Sequence, residues 1–177
     1  ISCHMLTPKY VVVNGLNKFA VSLIKRSVKV KPIEEDYIYL YGIKVPLKES
    51  GSILFSDGEE VVYKNHADLI KKLNAKFLKN ITNRTNYYAN LMHLPKYNVK
   101  IRNMKTRYGS NFKAKKEIHY STNLQHYSFE IIDSVVIHEL AHDVVQNHSK
   151  DFYDVVYKYC PNYKELRKKL NRGEYKW

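Results

Sequence analysis

Residues 138–148 read HELAHDVVQNH, three histidines and a glutamate in one short run. On a helix, positions four apart project from the same face, so the His138 and His142 imidazoles can converge on a single point in space. Glu139 lies about 100° round the helix from His138, too far to be a natural third ligand but able to reach a water held at that point. The same segment carries Ile132, Val136, Leu140 and Val144 at successive four-residue steps. Such a chain must therefore bury one side of this helix in a core while leaving another side open to a solute.

Two imidazoles leave a divalent ion under-coordinated, so a metal reading needs a third protein ligand and one open position. His148 is the best candidate. It follows His142 by six residues, the spacing of HExxHxxGxxH, although Val145 stands where that pattern has glycine and no methionine follows Met104 to make a methionine turn. Asn147, which tolerates the left-handed conformation, is expected to end the helix, and Ser149 to begin the next. Three neutral imidazoles suit one Zn2+ per chain, with Glu139 as the base for a zinc-activated water. The plain alternative is an amphipathic helix whose histidines and glutamate are simply solvated.

A chain of 177 residues suffices for one well-filled core, and 44% hydrophobic with 27% charged residues is ordinary for a folded protein. No apolar run approaches the roughly 20 residues that span a bilayer, and no basic and apolar leader opens the chain, so no membrane association and a cytoplasmic address are expected. Two cysteines, Cys3 and Cys160, build no disulfide framework, and residues 1–4 read as a cloning remnant ahead of Met5. The net charge of +13 would attract polyanions such as nucleic acid, but a chain rich in Lys, Asn, Ile and Tyr throughout also reflects compositional bias.

Residues 5–64 read as an antiparallel β-sheet region. Stretches 10–13, 19–31 and 37–47 are β-branched or alternating, and Asp57-Gly58 between two apolar runs marks a hairpin. Residues 65–177 form the second, mainly helical region: a capped helix from Asn65, a second helix over 81–93 ended by Pro95, strands at 97–104 and 117–122 flanking a polar loop, and the histidine helix over 129–145. Lys71, Lys72, Lys76 and Lys79 read as one solvated face. Further helices follow Ser149 and Pro161. The fold class reads as α+β, as one compact unit.

The stretches RYGSN (107–111), EIHYSTNL, IDSVVIHELAH (132–142) and NHSKDFYDVV (147–156), followed by PNYKELRKKL, resemble the YgjP-like metallopeptidases, relatives of the SprT-like zinc proteases in the zincin group. Order and spacing match from about residue 96 to 170. The resemblance implies that the fold is zincin-like, that His138, His142 and His148 bind zinc, that Glu139 is the catalytic base, and that peptide or protein is the substrate. Tyr108 and Asn111 stand where the family pattern has tryptophan and cysteine. Arg107, Tyr108, His119 and Tyr120 are candidates for substrate or oxyanion contacts, because a short strand beside the zinc helix is where zincins bind substrate backbone. Asp133 and Asp143 are candidates for the second nitrogen of a ligating histidine. The expected function is zinc-dependent peptide-bond hydrolysis. The rivals are a zinc hydrolase of another amide, or a basic nucleic-acid-associated protein whose zinc site is structural or vestigial.

Overall fold

The computed structural model describes residues 32–34, 36–55 and 57–175. The chain divides into two units at Lys31 and Pro32, and the described residues belong to the second. The strands expected at 10–13 and 19–31 lie outside the described residues.

β1 (Tyr37–Leu40) and β2 (Ile43–Pro46) form a hairpin. It turns at Tyr41 and Gly42, with φ of 52° and 84°, the paired left-handed residues that a two-residue primed turn requires. The continuous stretch 37–47 is therefore folded back on itself. β3 (Gly51–Leu54) and β4 (Glu60–Tyr63) make a second hairpin about Asp57-Gly58, as the dipeptide predicts. Among the described residues these hairpins are thus two separate two-stranded sheets, not one continuous sheet. Ile38, Leu40, Ile53, Val61 and Tyr63 from both hairpins pack with Leu69 and Leu73 of the following helix.

That helix, α1 (His66–Leu91), is a single element where two were expected. No Pro or Gly interrupts 65–91, and the Thr82 and Thr85 hydroxyls donate to carbonyls four residues back, so nothing stops propagation. At its start the Asn65 side chain accepts from the Asp68 amide at 2.9 Å, while the Asp68 carboxylate accepts from the Lys64 amide at 3.1 Å. Lys76 departs from the solvated face: it is buried, with its ammonium 2.8 Å from Asp57, 2.6 Å from Glu59 and 4.5 Å above the Phe55 ring.

β5 (Asn98–Arg102), β6 (Gly109–Phe112) and β7 (Glu117–Ser121) form a three-stranded sheet in the order β5-β7-β6. β5 runs parallel to β7 and β6 antiparallel to it. β6 lies inside the stretch read as a polar loop. Its residues are half-buried or exposed, so GSNF carries no alternating apolar signal.

Behind this sheet lies α2 (Phe129–Val144), which packs against α1, β6 and the last two helices, α3 (Lys150–Tyr159) and α4 (Tyr163–Arg172). α2 is buried round most of its circumference, by Ile131, Ile132, Val135, Val136, Ile137, Leu140 and Ala141, so it is a central helix more than an amphipathic one. It emerges only at its ends, at Phe129 and Glu130 in the first turn and at Val144, 52% exposed, in the last. The architecture is α+β, with antiparallel strands followed by helices. No helix among the described residues is long and apolar enough to cross a membrane.

Candidate metal centre

His138 and His142 project from the last two turns of α2, their ring centroids 4.9 Å apart. The helix stops at Val144, and Val145 leaves it in an extended conformation, φ −131° and ψ 118°. The chain turns there without a left-handed residue: Asn147 is not among the positive-φ residues, contrary to the expected helix stop. The His142 Nδ1–H donates to the Gln146 carbonyl at 3.1 Å and pins the turn, and the Lys113 ammonium donates to the Asp143 carbonyl at 2.6 Å, closing the end of α2. His148 then swings back, so that its Nε2 lies 3.2 Å from the His138 Nε2.

One ligand nitrogen from each of the three histidines lies within 4.8 Å of the others. Nitrogens sharing a tetrahedral zinc at roughly 2.0–2.1 Å would stand roughly 3.3 Å apart, so the observed pair already has a compatible spacing. The tautomers agree: the His142 Nδ1 is occupied by Gln146, and the His138 Nδ1 lies 2.8 Å from the Tyr163 hydroxyl, which leaves both Nε2 atoms to face the cleft. Burial, with the charges of His142, His148 and Arg167, pushes the His138 imidazole down to about 3 and so keeps it neutral. His142 is lowered as well, by burial first and by His148 second. The donor set fits a metal ion.

Beneath the three rings lies Phe152 of α3, fully buried, its centroid 5.0, 4.6 and 4.7 Å from those of His138, His142 and His148. It is one aromatic platform for three ligands. Asp133 and Asp143, candidates for the second nitrogens, serve elsewhere: Asp133 is bound by Arg84 and the Tyr88 hydroxyl, and Asp143 by Lys116.

Glu139 is only 6% exposed and lines the same cleft as the three histidines. Its side chain lies flat against Gly109 of β6. A Cβ at Gly109 would stand 2.4 Å from Glu139 Oε1 and 2.6 Å from its Cγ, so only glycine fits there. The Asn111 side-chain amide donates to the Glu139 carbonyl at 2.7 Å and clamps strand to helix. Burial pushes the Glu139 carboxyl up to about 7, against the opposing pull of Arg167, the Asn111 backbone amide and Arg107.

The cleft has a volume of about 590 Å³ and is walled by residues 106–113 on one side, by α2 and the His148 turn on another, and by Arg167 and Asn171 of α4. Arg107 and Tyr108 line it. Arg107 donates to the Ser110 hydroxyl at 3.2 Å, and the Tyr108 hydroxyl is 3.0 Å from that of Tyr127. His119 and Tyr120 do not line it. They sit on the central strand β7, where His119 pairs with Glu117 at 2.5 Å and Tyr120 is fully buried with its hydroxyl 3.2 Å from Thr85. The strand beside the histidine helix is β6, whose outer edge has no strand partner among the described residues.

Sequence reasoning did not single out Gly109, Gln146, Tyr163 or Arg167. For Tyr163 and Arg167 a signal existed: they are four apart in PNYKELRKKL, hence on one helical face beside the buried Leu166 and Leu170. For Gln146 there was none, because its contribution is a backbone carbonyl.

A cleft holding three convergent imidazoles and a buried carboxylate is the constellation of a metal-dependent hydrolase. The sequence pattern of the YgjP-like, metallopeptidase domain family matches residues 14–173, and the chain belongs to that family. Among solved structures, the metallopeptidase zymogen of Methanocaldococcus jannaschii jannalysin is similar with 21% identity and a TM-score of 0.45, over 54% of this chain and 94% of that one. The metallopeptidase zymogen of Pyrococcus abyssi abylysin is similar with 22% identity and a TM-score of 0.41, over 57% of this chain and 90% of that one. No protein with curated annotation shows detectable sequence similarity to it.

Proposed function

We propose that this chain is a zinc-dependent peptidase in which His138, His142 and His148 hold the ion and Glu139 is the general base. The observation that carries this reading is the convergence of the three imidazole nitrogens in a cleft that Glu139 also lines. When bound, the ion would supply Lewis acidity, lowering the pKa of a water toward about 7 and polarising the scissile carbonyl. The Glu139 carboxylate takes the proton of the attacking water as its oxygen bonds to the carbonyl carbon. It gives that proton to the departing nitrogen as the C–N bond breaks, and ends as the carboxylate it began as. Its burial against Gly109 suits this exchange, because a raised carboxyl pKa makes the acid form accessible near neutrality. The open edge of β6 favours a peptide over a small amide, since its unpaired N–H and C=O groups can take an extended backbone as an added strand. Arg107 and Tyr108, at one end of that strand, stand beside such a peptide.

Two measurements test the reading. Metal analysis of purified protein should find about one zinc per chain, and a folded His148→Ala variant should lose it. Glu139→Gln should keep the zinc and lower turnover of a denatured protein substrate at least 10²-fold, on the order of what a general base contributes. Wild-type turnover by Glu139→Gln would sink the mechanism.

A further inference from the structure

The charges of the cleft wall are unbalanced. Arg107, Lys113 and Arg167 line it among the described residues, against Glu139 as the single acid. Lysine-rich composition does not account for this, because two of the chain's six arginines are there and only one of its lysines. Two other described arginines meet carboxylates, Arg84 with Asp133 and Arg172 with Glu174. Those of the cleft do not. Arg107 reaches only a hydroxyl, Lys113 is engaged on the Asp143 carbonyl, and Arg167, half-buried, makes no hydrogen bond or ion pair among the described residues. A partly desolvated guanidinium with its donors open to a cleft is a receptor for a planar anion. Arg167 lies one helical turn beyond Tyr163 and lines the same cleft as His138 and Glu139, so an anion bound to it shares that cleft with the reacting groups.

We propose that the cleft selects peptides carrying Asp or Glu side chains close to the scissile bond, with Arg167 receiving the carboxylate nearest the reacting groups and Arg107 a second one along β6. The inference rests on the peptidase reading above and names its substrate class. Both arginines are specificity residues; the bond-breaking chemistry stays with Glu139 and the metal. A phosphate polymer would also satisfy bare positive charge, but the edge of β6 offers backbone hydrogen bonds that an extended peptide matches and a nucleic acid does not.

The test measures binding apart from cleavage. Three fluorescein-labelled peptides, identical except that their central positions are all Glu, all Gln or all Lys, are titrated by fluorescence anisotropy into the zinc-loaded Glu139→Gln variant. The Glu peptide should bind roughly tenfold tighter than the Gln peptide, the worth of one charge-assisted bidentate pair, and the Lys peptide weakest. Adding Arg167→Leu should erase the difference, and adding Arg167→Glu should move the preference to the Lys peptide, a gain that misfolding cannot imitate. Equal affinity for the Glu and Gln peptides overturns the inference. So does an oligothymidylate that binds tighter than the Glu peptide and depends on Arg167. Cleavage of the same peptides by the wild-type enzyme is scored separately. A retained Glu preference without cleavage removes the peptidase reading and keeps the acidic-ligand site, whereas cleavage without preference does the reverse.

Discussion

The His138 ring is held from two directions, with the Tyr163 hydroxyl 2.8 Å from its Nδ1 and the Phe152 ring packed below. With the Nε2 given to a metal, the Nδ1–H donates to a neutral phenol, a weaker acceptor than the carboxylate often found behind a zinc ligand. The bond fixes tautomer and ring orientation more than it raises basicity. Tyr163→Phe should therefore lower zinc affinity by about 10- to 100-fold in a competition titration against a chelating dye, with the thermal unfolding of the metal-free protein little changed. An unchanged affinity would leave the hydroxyl with only a packing role. His138 and His142 were legible from spacing alone. Tyr163 was legible only as one residue of an amphipathic helix: its spacing from Arg167 and Leu166 places it on a face, but nothing in the spacing says that this face meets a ligand.

At the scale of elements, two choices build the site. β6 lies so close to α2 that Gly109 and Glu139 are in van der Waals contact, and Asn111 ties the strand to the helix backbone. Gly109→Ala should displace the Glu139 side chain and reduce peptide hydrolysis at least 10²-fold while zinc content stays near one per chain, because the atoms nearest the new methyl all belong to Glu139. Loss of zinc together with activity would mean that the strand holds the whole site. α3 supplies the other choice through Phe152. Phe152→Ala should cost about 3–5 kcal/mol in denaturant unfolding and release zinc, whereas Phe152→Leu should cost less on both counts. The helices were readable in advance because their apolar period is strong. β6 was not, being a short polar edge strand that exists through its pairing with β7.

Across the whole molecule, the hairpins meet the remainder of the described residues through buried polar contacts as well as apolar ones. His126, buried, donates from its Nδ1 to the Tyr39 carbonyl at 2.7 Å, joining the turn before α2 to β1. Burial lowers its pKa below the ordinary 6.5. The unfolded chain then takes up a proton near pH 6.5 that the folded chain refuses, so this stability is present above pH 6.5 and is lost as the pH falls through the depressed folded value. His138 and His142 shift in the same sense, so the contribution must be taken as a difference. In metal-free protein between pH 7 and 5, wild type should lose stability faster than His126→Gln, by at most about 1.4 kcal/mol per pH unit. Parallel slopes would show that His126 titrates freely in the folded state.

What the sequence determined by itself is what local geometry can carry. The helical period places His138 and His142 on one face with Glu139 beside them, a glycine turn divides β3 from β4, and the two arginines stand in known stretches of chain. The tertiary structure decided which strand faces the histidines, which tyrosine anchors a ligand, and how His148 returns without a glycine at Val145. The physical reason is range. Spacing along a helix is set by 1.5 Å per residue and 3.6 residues per turn, whereas each of the other facts is a contact between segments far apart in sequence or between distinct elements, fixed only when the core beneath α2 is packed.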